Sequence, residues 1–253
     1  MMVEKIKMKT FFILAIARNS IKLLESIKDE VNKHNDIFVL DADDSYKLLT
    51  FKSISFYRIF LENCYKINSH IYNPIYAKID DDVIINPYNF IEIIKNLMQT
   101  KQPLWTAGYA FINPVWGPIR NKAHEDYVPL SLYPRERLPT FLTGPTYFLS
   151  IESVRQIYEY FLCLPAIWHV EDVEITGILR EKLNISVIQL KQFYHYNPQE
   201  HVRSILTFNA NSTSQKWIKD IFVFHFYPNL SQEQYIEIWN LMASHNFFRY
   251  FQS

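Results

Sequence analysis

Ile75-Tyr76-Ala77-Lys78-Ile79-Asp80-Asp81-Asp82-Val83-Ile84-Ile85-Asn86-Pro87 decides how this chain is read, because three consecutive carboxylates interrupt an otherwise apolar run. Two carboxylates about 4 Å apart repel by roughly 4 kcal/mol at a protein-surface dielectric, so a strand that leads three of them toward the interior implies a compensating cation. Oxygen ligands favour a hard divalent ion, Mn²⁺ or Mg²⁺. The competing reading is a solvated acidic turn between two strands; the apolar residues on both sides argue against it. Side chains alternate along an extended backbone, so Asp80 and Asp82 project together and Asp81 apart, which gives metal ligation to Asp80 and Asp82. An EF-hand loop is excluded, because Ile85 stands where its glycine would be.

Working outward, strand and helix signals alternate. Phe11 to Ala17 reads as a buried strand, Ser20 to Asn32 as a helix with Ile21, Leu24, Ile27 and Val31 on one face, and Asp36 to Leu40 as a second strand. Asp44 or Ser45 caps a helix from about Leu48 to Cys64. After the third strand, Ile75 to Ile79, Asn86-Pro87 opens a helix through Met98, since proline suits a first helical turn. Leu104 to Leu138 is rich in Pro, Trp and Tyr and reads as short strands and loops over the active-site face. Thr140 to Ser150 contains Gly144-Pro145 and an apolar end, and Ile151 to Leu164 is helical. A helix from Glu174 to Leu183, a strand from Ile185 to Leu190, a strand from Ile221 to Phe226 and a helix from Ser231 to about Ala243 complete the chain. Such alternation predicts an α/β fold with a mostly parallel sheet flanked by helices, in a single domain over residues 1–253.

Composition narrows the partners. Among 253 residues, 49% are hydrophobic, enough for a full core, and 26 basic residues balance 26 acidic ones without a Lys/Arg stripe. Nucleic acid and anionic membrane surfaces are therefore not expected partners. Aromatic residues make up 16%, and such rings fill cores or offer platforms for sugar faces. Cys64 and Cys163 are too few for a disulfide scaffold, although one bridge is open to them. Asn184-Ile185-Ser186 and Asn211-Ser212-Thr213 are glycosylation sequons that matter only in a secretory setting. No apolar stretch approaches the ~20 residues of a membrane span. Phe11 to Ala17 imitates a signal peptide but is short for one and reads better as a strand.

In open α/β sheets, ligands lie beyond the carboxyl ends of strands, where the aspartates stand. A cation with one or two protein carboxylates completes its shell with water and substrate phosphates, which points to a nucleotide diphosphate. A second acidic pair, Glu171-Asp172, lies just before a helix, whose dipole tolerates a carboxylate there. It is either a helix cap or, with Trp168 close by as a sugar platform and a less polar neighbour, a tuned base. His225, between Phe224 and Phe226, is a core histidine or the completion of a metal shell.

Taken in order, these segments resemble the β1,3-glycosyltransferases of family 31. The resemblance rests on Lys78 through Asn86 with its aspartate triplet, on Glu171-Asp172-Val173 followed by Thr176-Gly177-Ile178-Leu179, on Asp44-Ser45-Tyr46 with Leu49-Thr50 and Lys52, on Cys64, and on Thr143-Gly144 through Tyr147-Phe148-Leu149-Ser150. It spans about residues 11–240. It implies a GT-A-type nucleotide-sugar transferase fold and inverting transfer of a hexose, galactose favoured, from a UDP-sugar to a glycan, glycoprotein or glycolipid acceptor. By motif, Asp80, Asp82 and His225 would hold Mn²⁺, with Mg²⁺ an alternative. Asp172 would be the general base, and Lys78, Asp81, Gly144, Trp168 and Glu171 would line the substrates. A Golgi membrane or lumenal setting is implied, with membrane association only through a family-type anchor absent from this sequence. The family's arginine-rich early segment is not seen either, so the chain resembles an N-terminally truncated or divergent member, and Pro145 replaces a second glycine. The rival expectation is a catalytically silent GT-A domain that binds glycans or partner proteins.

Overall fold

The structure is a computed structural model that describes residues 8–16, 20–65, 74–190, 222–225, 231–236 and 239–240. The chain divides into two compact units, one from Met1–Tyr72, Asn113–Pro139 and Val154–Leu183, the other from Asn73–Ile112, Thr140–Ser153 and Asn184–Ser253.

In the first unit, β1 (Phe12–Ala15) pairs in parallel with β2 (Ile37–Leu40), with α1 (Ile21–His34) between them. Leu24, Ile27 and Val31 form the half-buried stripe of α1 that its spacing foretold, while Ile21 is exposed. Asn35 ends the helix in the left-handed region, at φ 53°, a conformation asparagine tolerates. The Ser45 hydroxyl caps a 3₁₀ turn, Tyr46–Leu48, by accepting from the Lys47 N–H at 3.3 Å. The chain then continues as α2 (Leu49–Phe60) and a wider π-type turn, Leu61–Tyr65. Thr50, Ile54 and Tyr57 of α2 are buried, whereas Phe51 faces out.

The second unit holds a four-stranded sheet in the order β3 (Ile75–Ile79), β6 (Phe141–Ser150), β5 (Trp105–Phe111), β7 (Ser186–Gln189). The α/β class stands, and the pairing is mixed. β5 and β7 run parallel, while β6 is antiparallel to both neighbours. Antiparallel neighbours need no helical crossover, and β5 returns to β6 through residues 112–140, which contain no regular element. Trp105–Phe111, within the stretch expected to hold short strands and loops over the active-site face, is a strand, and a largely buried one. Gly108 fits there because a Cβ would press on Leu142 and Tyr147, at 3.3 and 3.4 Å.

Pro145 has no N–H for the ladder, and the β5–β6 register jumps from Gly108↔Tyr147 to Ala110↔Leu142. Four residues, Thr143 to Thr146, thus bulge opposite Tyr109 alone. On the other edge, β3 runs into the aspartates, and β4 (Val83–Ile85) departs to pair with β8 (Val223–His225). Asn86, fully buried, accepts from the Tyr88 and Asn89 N–H groups and caps α3 (Pro87–Met98), as the Asn-Pro signal foretold. Phe90 of α3 meets Phe148 and Phe222 with ring centroids 5.8 Å from each. Burying rings of this size contributes about 1.5–3 kcal/mol apiece.

The helix α4 (Ile151–Phe161) follows β6 directly. The next helix, α5 (171–182), is π-wound over Val173–Leu179 and closes on Arg180–Lys182. It includes Glu171 and Asp172 in its first turn, so the acidic pair lies inside the helix and not before it. Residues 232–236 are helical and begin with a capping box: Ser231 Oγ accepts from the Gln234 N–H, and Gln234 Oε1 from the Ser231 N–H. The remaining expectations for residues 191–221, 226–230 and 241–253, including the sequon at Asn211, lie outside the described residues. Cys163 is an exposed free thiol, and the Cys64 side chain is not among the described ones. Among the described residues, no helix is long and apolar enough to cross a membrane.

Candidate active site

Each unit carries functional side chains. In the second, the aspartates form a turn joining β3 to β4, not a continued extended strand. Asp81 is exposed at its tip, and Asp80 and Asp82 are half-buried, so the middle carboxylate stands apart through the turn and not through strand alternation. The Asp80 N–H donates to the Pro145 carbonyl at 3.0 Å, extending the β3–β6 ladder to the bulge. The Lys78 ammonium, 10% exposed, makes an ion pair with Asp80 and donates to the Gly144 carbonyl at 2.6 Å. Lys78 thus ties the acidic turn to the bulge. Burial pushes the Asp80 carboxyl above its usual pKa; Lys78 pulls it down, and the neighbouring Asp82 charge pushes it up again.

Antiparallel pairing of β4 with β8 sets Val83 opposite His225 and brings His225 Nε2 to 3.2 Å from Asp82 Oδ2. Asp82 Oδ1 is buried with no hydrogen-bond partner among the described residues. An anionic oxygen left in that state, beside an imidazole nitrogen, is the donor set a divalent cation of the Mn²⁺ class accepts. No three His, Cys, Asp or Glu side chains converge as a protein-only cage among the described residues. A cation here would fill its shell from water and phosphate oxygens, so the residues present fit a metal shared with a diphosphate. Tyr235, from the helical turn 232–236, was not anticipated. Burial raises its hydroxyl pKa, and the Asp82 and Asp81 charges add to this.

In the first unit, Asp172 is half-buried and its Oδ1 accepts from the Val173 N–H at 2.8 Å, while Glu171 is only 2% exposed. Of the pair, Asp172 is the carboxylate a substrate can reach. Trp168 is 3% exposed and packs on Tyr133 with centroids 6.0 Å apart. Its ring lies inside, where a sugar has no face to stack on, so the platform role expected for Trp168 gives way to a core one. Its carbonyl accepts from Thr50 Oγ1 at 2.8 Å. Glu174, one helical turn into α5, is 4% exposed and accepts from the Trp168 backbone N–H; burial still raises its carboxyl to a pKa of about 7. Nothing in the local sequence separated Glu174 from an ordinary helix-surface glutamate.

Tyr46, which the Asp44-Ser45-Tyr46 motif includes, is joined by Asp126 and His169, which no motif includes. The Tyr46 hydroxyl donates to Asp126 Oδ1 at 3.0 Å, and the Tyr46 and His169 rings meet edge to face at 5.7 Å. For Asp126 the local signal is the run His124-Glu125-Asp126 inside a proline-rich stretch.

The first unit thus offers a half-buried carboxylate in the first turn of a helix, and the second an Asp–His pair beside a lysine-anchored acidic turn. The galactosyltransferase family profile matches residues 2–191, and the chain belongs to that family. Beta-1,3-galactosyltransferase 1 of Homo sapiens is 31% identical over 192 residues, which cover 76% of this chain and 55% of the relative. Beta-1,3-galactosyltransferase brn of Drosophila melanogaster is 27% identical over 194 residues, covering 76% and 55%. Lactosylceramide 1,3-N-acetyl-beta-D-glucosaminyltransferase B of Xenopus laevis is 26% identical over 181 residues, covering 70% and 45%. The chain spans about half the length of the curated relatives it matches.

Proposed function

We propose that this chain is an inverting β1,3-glycosyltransferase of GT-A type that moves a hexose, galactose first among candidates, from a UDP-sugar to a hydroxyl of a glycan acceptor. Family membership supports the class of reaction, and relatives named for β1,3-galactosyl transfer support the donor. The observation that supports the metal dependence is the Asp82–His225 pair, whose buried Asp82 Oδ1 has no partner among the described residues. Mn²⁺ or Mg²⁺ bound there would offset the charge that develops on the departing diphosphate. Lys78 and the Gly144 carbonyl hold the turn that presents Asp82. Asp172 accepts the proton of the acceptor hydroxyl as its oxygen bonds to the anomeric carbon and the bond to UDP breaks, a single displacement that inverts the centre.

The test is release of UDP by the purified chain from a panel of UDP-sugars with Mn²⁺ and simple β-glycoside acceptors. Acceptor-stimulated release, strongest with UDP-galactose and abolished by EDTA, is the expected result. No release from any donor by a folded protein, with no calorimetric binding of UDP and Mn²⁺, would leave the silent glycan-binding module instead.

A further inference from the structure

The Tyr46, Asp126 and His169 group has a chemistry that an ordinary loop anchor does not need. A clamp is served by saturated contacts, yet among the described residues the Asp126 carboxylate is hydrogen-bonded through Oδ1 only. The cationic candidate for Oδ2 among them is His124 Nδ1 at 3.9 Å, beyond hydrogen-bonding distance. That nitrogen already accepts the Asp126 backbone N–H at 3.1 Å, so it carries no proton toward the carboxylate. Oδ2 therefore keeps acceptor capacity, on a side chain 29% exposed. Tyr46 is 48% exposed, and its ring makes a corner with His169 at an interplanar angle of 74°. His169 is fixed in turn by donating from Nε2 to the Glu125 carbonyl at 2.7 Å. A half-open aromatic corner with an under-used carboxylate matches a sugar, which offers an apolar C–H face and adjacent hydroxyl donors.

The neighbourhood selects which sugar. His169 stands three residues before Asp172, and the Asp172 charge lies near enough to add to Asp126 in raising the Tyr46 hydroxyl pKa, behind burial as the main cause. If Asp172 takes the proton of the attacking hydroxyl, the groups around it touch the molecule that brings that hydroxyl. We propose that Tyr46, Asp126 and His169 form the subsite for the acceptor sugar, with Asp126 Oδ2 receiving acceptor hydroxyls and the Tyr46–His169 corner receiving its C–H face. This rests on Asp172 being the base of the proposed transfer.

Asp126→Asn is the discriminating variant, since the amide oxygen still accepts from Tyr46 and keeps the loop in place, while the anionic oxygen is lost. Acceptor KM should rise about tenfold or more, the size of a hydrogen bond to a charged group, with donor KM and melting temperature unchanged. Tyr46→Phe, which keeps the ring, should raise acceptor KM less. Saturation-transfer NMR with methyl β-galactoside, methyl β-glucoside and methyl β-N-acetylglucosaminide reads the same subsite without turnover, and at least one should give a signal that Asp126→Asn loses. UDP release with an unaltered acceptor KM in Asp126→Asn overturns the subsite and leaves the transfer intact. A sugar signal lost in Asp126→Asn, from a protein that releases no UDP, keeps the subsite and overturns the transfer. Absence of any sugar signal from the wild-type chain, or a signal Asp126→Asn retains, overturns the subsite as well.

Discussion

His225 Nε2 lies 3.2 Å from Asp82 Oδ2 although 143 residues separate them, because β8 pairs with β4 and sets His225 opposite Val83, the neighbour of Asp82. In the proposed transfer these two side chains would hold the metal, and a site with only two protein ligands would depend on its nucleotide. Asp82→Ala should weaken Mn²⁺-dependent UDP binding by more than His225→Ala, because it removes a charge as well as a ligand. Titration calorimetry should show losses of about tenfold or more in each. His225→Ala that lowers melting temperature and leaves UDP affinity intact would make the histidine a packing residue.

Lys78 makes the ion pair that offsets most of the Asp80 charge, with a smaller contribution from His225, and it also satisfies the Gly144 carbonyl. Lys78→Met leaves the half-buried carboxylate uncompensated and should cost about 2 kcal/mol in urea unfolding. Adding Asp80→Asn removes that charge and should recover part of the loss. Equal stability of the single and double variants would contradict the pairing.

Glu174 gives the protein a pH-dependent stability of defined sign. Its carboxyl titrates near pH 7 when folded, against 4.5 when free, so the folded state holds its proton more tightly than the unfolded one. Stability should therefore fall as pH rises from about 4.5 to 7, by on the order of 3 kcal/mol for this group. Glu174→Gln keeps an oxygen for the Trp168 backbone N–H and carries no charge. Its melting temperature should exceed that of the wild type at pH 8 and converge with it at pH 5. Parallel pH profiles for the two proteins would contradict the buried charge.

Gly117 allows the chain to pass against the backbone carbonyl of Glu136, where a Cβ would collide. The obstacle is main chain and has little room to yield. Gly117→Ala should lower the melting temperature by several degrees, on the order of 1–3 kcal/mol for an overpacked contact. An unchanged transition would mean the two stretches separate freely.

Signals confined to a few residues were legible from sequence, and pairings across long separations were not. The aspartate turn, the Asn86-Pro87 cap and the stripe of α1 declare themselves within one element, through charge, capping and period. Trp105–Phe111 declared extended pieces but not its buried place, because that place comes from β6 and β7 on either side. The direction of β6 was likewise a tertiary matter: Gly144-Pro145 announced an interruption but not which carbonyls it would turn toward Lys78 and Asp80. Trp168 looked like a surface aromatic because an acidic pair follows it, and its burial depends on Tyr133, thirty-five residues away along the chain. The contact of Tyr46 with Asp126 spans eighty residues and could not be seen locally.

Asp172 is where the proposed chemistry stands or falls, because its Oδ1 already performs a structural task by accepting from the Val173 N–H. Asp172→Asn preserves that bond and removes only basicity. The decisive measurement is kcat of Asp172→Asn with donor, acceptor and metal saturating, taken beside its melting temperature. A general base predicts a fall of about 10²-fold or more with stability essentially unchanged. Near-normal kcat would show Asp172 to be a helix cap and would contradict the mechanism.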